Sequence, residues 1–269
     1  MTTIIKEAID VYDLLLNQYS DPRVEGWFLM GSPFPMIMLL VFYQYFIRSL
    51  GPWLMKDREP FKLDKVMILY NLIQILVNGW FVEESFRHIW LHGRYNVICE
   101  EVDYSDDPIA LLVARFTWMF FMTKVFDLLD TVFMVLRKRS DQVSFLHLYH
   151  HTGMVLATWI GTKYVAGGHG VLFGTINSFV HAVMYIYYLL TALNPEYKKS
   201  IWWKKHITEL QLIQFVLTSL HSAIALFNPY CKFPKVLLAA FIPQDVFMFF
   251  LFLDFYRKAY LNPKKKLKE

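Results

Sequence analysis

Apolar residues along this chain fall into long blocks separated by short polar stretches. Seven blocks can be read, at approximately Pro33–Leu50, Val66–Phe86, Ile109–Leu136, Phe145–Val165, Gly170–Leu193, His206–Phe227 and Val236–Tyr256. A hydrocarbon layer of about 30 Å is crossed by a helix of about 20 apolar residues, so the pattern predicts an all-α membrane protein with seven transmembrane helices. The first block is the shortest and ends at Gly51-Pro52. Apart from the two tails there is no linker, repeat or low-complexity stretch, so residues 1–269 read as a single integral-membrane domain.

Composition agrees. Hydrophobic residues make up 56% of the chain and charged residues 19%, against about 25% charged in ordinary soluble domains. The first 25 residues carry Glu7, Asp10, Asp13, Asp21 and Glu25, with no basic stretch ahead of an apolar core. No cleavable signal peptide is expected, and the first span acts as its own insertion signal.

Charge sets the orientation. Of the 27 Lys and Arg residues, eighteen fall on the side of the C-terminal tail and of the loops after spans one, three and five, counting Arg48 at the end of span one; seven lie on the other side. The remaining two, Arg115 and Lys124, are inside the third span. Cytosolic loops carry the basic excess, which predicts a lumenal N-terminus (residues 1–32) and a cytosolic tail (257–269). Cys99 and Cys231 then both lie in lumenal loops, where disulfides form and persist. A bridge between them is expected, with two unrelated thiols as the alternative.

Ionisable groups inside membrane spans are costly and point to function by default. Here they are grouped. Lys124, Asp127, Asp130 and Thr131 share one face of the third span, within an arc of roughly 120°. His147, His150 and His151 open the fourth span at i, i+3 and i+4. The fifth carries Asn177, His181, Met184 and Tyr188 on one stripe, with Tyr185 and Tyr187 beside it; the sixth carries Thr208, Gln211 and Gln214. At a rise of about 1.5 Å per residue, Asp130 lies about 9 Å and His150 about 7–8 Å from the cytosolic ends of their spans. Gln211 and Gln214 lie at about 7–12 Å. A lone intramembrane His or Gln is most often packing glue, and His206 and His221 are read that way. Independent packing contacts need not agree in depth, whereas one shared site must.

A metal is one chemistry for such a site. Membrane di-iron desaturases and hydroxylases carry several His-x-x-His-His boxes, and this chain has one. The second apparent box, His88 to His92, sits at the lumenal end of the second span beside Trp90 and reads as interfacial. A nucleophile is another, since imidazole can carry an acyl group. Both thiols being lumenal, histidine is the available acyl carrier on the cytosolic side, with Asp130 able to fix a tautomer or stabilise an imidazolium. A seven-helix receptor or transporter is the non-enzyme alternative.

At these residues the chain resembles the fatty-acid elongase (ELO) family, animal branch. The family's Lys-x-x-Glu-x-x-Asp-Thr appears as Lys124 to Thr131, with Asp127 in place of Glu. Its His-x-x-His-His is His147 to His151. Its Asn-x-x-x-His-x-x-Met-Tyr-x-Tyr-Tyr runs complete from Asn177 to Tyr188, and its Thr-x-x-Gln-x-x-Gln is Thr208, Gln211 and Gln214. Leu-Arg-Lys-Arg after the third span and Asp21-Pro22-Arg23 before the first extend the similarity.

The resemblance implies condensation of a long-chain acyl-CoA with malonyl-CoA to a 3-ketoacyl-CoA, releasing carbon dioxide and coenzyme A. It implies a ping-pong route through an acyl-enzyme in the endoplasmic reticulum membrane. It also implies six helices ringed around a narrow acyl tunnel plus one peripheral helix. On that reading His150, His147, His151, His181, Asp130 and Asn177 form the catalytic set. Lys124, Arg137, Lys138, Tyr187, Tyr188, Lys204, Lys205, Gln211, Gln214 and Arg257 are the substrate-binding set, the basic side chains meeting the coenzyme A phosphates. No cofactor or metal is expected. Membrane lipids, the ketoreductase, dehydratase and enoyl reductase of the elongation cycle, and a second copy of the chain are the expected partners; nucleic acid is not. The tail Lys264-Lys265-Lys266-Leu267-Lys268-Glu269 resembles a dilysine retrieval signal, though its lysines stand four and five places from the end.

Overall fold

The computed structural model describes residues 6–7, 13–91, 93 and 95–262. His92 of the apparent second box and the lysines of the dilysine-like tail lie outside the described residues.

The structure is helical throughout, with no strand among the described residues. We number the long helices α1 (Pro33–Met55), α2 (Asp64–Trp90), α3 (Pro108–Leu136), α4 (Phe145–Tyr164), α5 (Val171–Leu193), α6 (Ile201–Phe227) and α7 (Lys235–Leu261). Among the described residues, α1, α2, α5, α6 and α7 are long and apolar enough to cross a membrane. This is a multi-pass membrane protein. Helices α3 and α4, of 29 and 20 residues, match the third and fourth predicted blocks and carry the polar groups singled out above.

Local sequence sets the helix starts. Ser32 caps α1 by accepting from the Phe34 amide at 3.3 Å, and Asp107 caps α3 by accepting from the Ile109 amide at 2.8 Å. In each case proline follows directly, at the position where a missing N–H costs nothing. The first helix runs beyond the Gly51-Pro52 stop read from the sequence. A π-turn over Phe46–Leu50 precedes Gly51, and Pro52 then stands in the first turn of a further helical segment, Gly51–Met55. Glycine is needed at 51 for closeness: a Cβ there would come within 2.7 Å of Val135 Cγ1 and 2.9 Å of the Phe46 carbonyl oxygen.

The chain forms two compact units. The first comprises residues 1–62 and 102–171, hence α1, α3 and α4. Its core joins Met36, Leu40, Tyr43 and Ile47 of α1 to Phe121, Leu128 and Val135 of α3 and to Val155 and Trp159 of α4. At one end, Asp21 and Arg23 form a buried ion pair at 2.6 Å. The Asp21 amide donates to the Lys163 carbonyl at 2.8 Å, and Arg23 also donates to the carbonyls of Asp103, Ala110 and Ala166. Burial alone would lower the Arg23 pKa, but the hydrogen bond and charge of Asp21 hold it above its usual value.

The second unit comprises residues 63–101 and 172–269, hence α2, α6, α7 and all but the first residue of α5. Its buried residues include many polar side chains, among them Asn71, Gln74 and Asn78 of α2, Asn177 and His181 of α5, Gln214 and Thr218 of α6, and Asp245 of α7. The Asp245 carboxylate accepts from the hydroxyls of Thr218 and Ser219, both at 2.7 Å. Cys99 and Cys231 are joined by a disulfide with a Cα–Cα distance of 5.6 Å, which clips the segment after α2 to the turn before α7.

That clip closes a span of 132 residues, and its removal is expected to cost about 2–4 kcal/mol. The Cys99→Ser variant should melt below the wild-type protein, and non-reducing peptide maps should recover a Cys99–Cys231 cross-linked fragment. Free thiols at both positions in protein from an oxidising compartment would contradict the assignment.

Candidate active site

The first unit holds two of the four motifs. On α3, Lys124 and Asp127 are both buried and form an ion pair at 3.1 Å, one turn apart. The Lys124 ammonium also lies 4.8 Å from the centre of the Phe120 ring. The aspartate that departs from the family's glutamate thus reaches the lysine of its own motif. One turn further on, Thr131 is fully buried.

Ser144 caps α4 by accepting from the His147 amide at 3.2 Å, which fixes the turn that carries the histidines. His147 Nε2 lies 2.8 Å from Thr131 Oγ1, and Thr131 Oγ1 lies 2.7 Å from the Tyr43 hydroxyl of α1. The His147 and His151 rings are 4.2 Å apart, those of His150 and His151 5.5 Å apart. All three histidines are half-buried. The spacing read from sequence therefore gives one imidazole cluster. His147 is thus bonded to Thr131; Asp130, to which sequence reasoning gave a supporting role in the cluster, is half-buried one residue earlier. Arg137 caps the end of α3, half-buried; Lys138 follows with φ 54°, in the left-handed region, and donates to the Lys56 carbonyl at 3.2 Å.

The other two motifs belong to the second unit. Asn177 is buried on α5 and its Nδ2 donates to Gln214 Oε1 of α6 at 3.4 Å. Asn177 Oδ1 has no hydrogen-bond partner among the described residues. His181 is buried one turn along α5, its ring 5.9 Å from that of Tyr185. Gln211 reaches Met184 Sδ at 3.8 Å, so both glutamines of the α6 motif touch the α5 motif. Tyr187 is buried and Tyr188 is 40% exposed. At the start of α6, Lys204 and Lys205 are half-buried, and Lys205 stands 3.8 Å from Glu209; Arg257 is exposed near the end of α7.

Sequence reasoning missed a polar stripe on α2. Tyr70, Asn71, Gln74 and Asn78 are all buried. Gln74 Nε2 donates to the Tyr70 hydroxyl at 2.9 Å, and both lie 3.4 Å from the Tyr185 hydroxyl. Their helical spacing was the available signal, but they carry no charge and sit in an apolar run. Among the described residues, no group of three or more His, Cys, Asp or Glu side chains is placed to hold a metal ion together.

Comparison with known proteins fits this arrangement of motifs. The model of the GNS1/SUR4 family (ELO) matches residues 28–268. Very long chain fatty acid elongase 7 of Drosophila melanogaster is 45% identical, over 92% of this chain and 75% of its own length. Very long chain fatty acid elongase 4 of Homo sapiens is 43% identical over 98% and 83%, and elongase 7 of Rattus norvegicus 43% over 97% and 93%. The chain belongs to the ELO family, with animal elongases among its relatives.

Removing one member of a buried ion pair strands the other, at a cost of about 3–5 kcal/mol, whereas replacing both with apolar residues is often near neutral. Lys124→Met and Asp127→Leu should each lower the melting temperature in detergent. The double variant should melt closer to wild type than either single one; additive losses would show that the pair is not the partnership the geometry indicates.

Proposed function

We propose that this protein is the condensing enzyme of fatty-acid elongation, an acyltransferase that joins a long-chain acyl-CoA to malonyl-CoA and yields 3-ketoacyl-CoA, carbon dioxide and coenzyme A. The single observation that carries the reading is the three-histidine cluster of α4, anchored through His147 to Thr131 of the Lys124–Thr131 motif. Relatives named very long chain fatty acid elongases, similar over more than nine-tenths of the chain, support it.

In the reaction we propose, a His150 nitrogen attacks the acyl thioester. A carbon–nitrogen bond forms, the carbon–sulfur bond breaks, and the imidazole proton leaves with coenzyme A. His147 or His151, with Asp130, manages that proton. Malonyl-CoA then loses carbon dioxide to give an enolate, stabilised by donors from Asn177 and His181 aimed where charge develops. The enolate attacks the acyl carbon, the carbon–nitrogen bond breaks, and the departing imidazole takes up a proton. Asn177 spends one N–H on Gln214, leaving its second for this role.

The remaining assignments follow the same reading. Lys124, Tyr187, Tyr188, Gln211 and Gln214 position substrate, and Arg137, Lys138, Lys204, Lys205 and Arg257 meet the coenzyme A head. Seven helices span the endoplasmic reticulum membrane, six of them around an acyl tunnel, with a lumenal N-terminus and a cytosolic C-terminus. The chain works as one domain, needs no cofactor, and associates with the other enzymes of the cycle and with a second copy of itself.

Purified protein given malonyl-CoA and a panel of acyl-CoAs should form products two carbons longer, read by mass. Oxygen-dependent products and bound iron would instead mark a di-iron lipid oxidase. With acyl-CoA alone, peptide mass should locate one acyl group on His150 with stoichiometric release of coenzyme A. Acyl-CoA that stays intact until malonyl-CoA arrives would replace the ping-pong route with a ternary complex.

The basic residues give a separate expectation. Arg137→Ala and Lys204→Ala should raise the KM for acyl-CoA several-fold while changing kcat less, because a phosphate contact exists both before and during the chemical step. Unchanged kinetics in the single and paired variants would leave these residues a purely topogenic role.

A further inference from the structure

Helix α1 carries none of the four family motifs, yet two adjacent residues of it reach the site. Tyr43 is buried, and its hydroxyl lies 2.7 Å from Thr131 Oγ1 of α3, which lies 2.8 Å from His147 Nε2 of α4. Gln44, its neighbour, donates from Nε2 to Thr152 Oγ1 of α4 at 2.6 Å, one residue beyond His151. Arg48 in turn donates to Gln44 Oε1 at 3.0 Å. The helix that bears the histidines is thus tied to α1 through Thr131 at its first turn and directly at its second.

We infer that Tyr43 is a positioning residue for the histidine cluster, acting through Thr131 to hold His147 in one neutral tautomer. The inference rests on the condensing-enzyme reading for its catalytic consequence, though not for the tautomer itself. A phenol is a better proton donor than an aliphatic alcohol, so the favoured direction runs from Tyr43 O–H to Thr131 Oγ1. Thr131 then has its own hydroxyl proton to give, and His147 Nε2 accepts it. A neutral imidazole that accepts at Nε2 carries its proton on Nδ1. His147 is then fixed as a donor at one nitrogen and an acceptor at the other. The neighbouring His151 and His150 rings meet a defined proton pattern instead of an exchanging one. Without the Tyr43 hydroxyl, Thr131 can equally accept from Nε2–H or turn its proton to the carbonyl one turn back on α3, and the tautomer is no longer set.

The test uses the full chain and two independent readouts. In the condensation assay, Tyr43→Phe should lower kcat roughly five- to tenfold, the scale of one lost hydrogen bond, with the KM for acyl-CoA within about twofold of wild type. Thr131→Val should lower it at least as far, and Thr131→Ser should retain most of it. The double variant Tyr43→Phe/Thr131→Val should be no worse than Thr131→Val alone, because Tyr43 acts only through Thr131. Losses that multiply would overturn the relay. The second readout is the 15N shifts of selectively labelled histidine, with His147 assigned by comparison with His147→Gln. Wild type should show one His147 tautomer protonated on Nδ1, and Tyr43→Phe a mixture; identical patterns in both would overturn the inference. Wild-type protein that forms no condensation product would refute the function while the shifts alone still decided the relay.

Discussion

A polar group away from water must find its partner within the protein, and in a membrane that requirement falls on nearly every side chain of the site. The Lys124–Asp127 pair of α3 is the plainest case. Two opposite charges are almost completely buried a single turn apart, each the condition for the other's remaining there. Because the pair is satisfied along one helix, α3 arrives at its neighbours with those charges already neutralised. The turn that follows is then free to spend Thr131 on contacts to α1 and α4.

The second unit meets the same requirement differently. Among its buried apolar residues it sets hydrogen-bonded polar groups: the α2 stripe bonded to Tyr185, Asn177 bonded to Gln214, and Asp245 between two hydroxyls. Several of these groups keep unused capacity, including Asn177 Oδ1 and Ser178 Oγ, which have no partner among the described residues. Buried polar atoms left open in this way are costly unless something else meets them.

Much of this was legible in the sequence because charge and period speak loudly inside apolar blocks. Each of the seven blocks falls on a helix, and five of those helices, among the described residues, are long and apolar enough to cross a membrane. The Lys124–Thr131 face and the i, i+3, i+4 histidines could be placed by helical spacing alone, and the disulfide followed from assigning both cysteine loops to one side. What stayed hidden is neutral, or depends on a distant partner. Gln74 and Asn78 carry no charge to mark them, and Asp245 went unnoticed because its hydroxyl partners lie on another helix. Tyr43 is an ordinary aromatic residue until Thr131, 88 positions away, is brought beside it. The stop read at Gly51-Pro52 failed because a π-turn reshapes the backbone just ahead of the proline, which local propensity does not report.

The disulfide has a consequence for how the protein is made. Cys231 is synthesised 132 residues after Cys99, which at translation speeds of about 5–20 residues per second is a wait of roughly 7–26 s. Throughout that interval Cys99 is a thiol with no native partner, while α3, α4, α5 and α6 are being added. A chain that ends before Cys231 keeps that thiol without its native partner. Closure of the bridge therefore records that synthesis has passed Cys231, just ahead of α7.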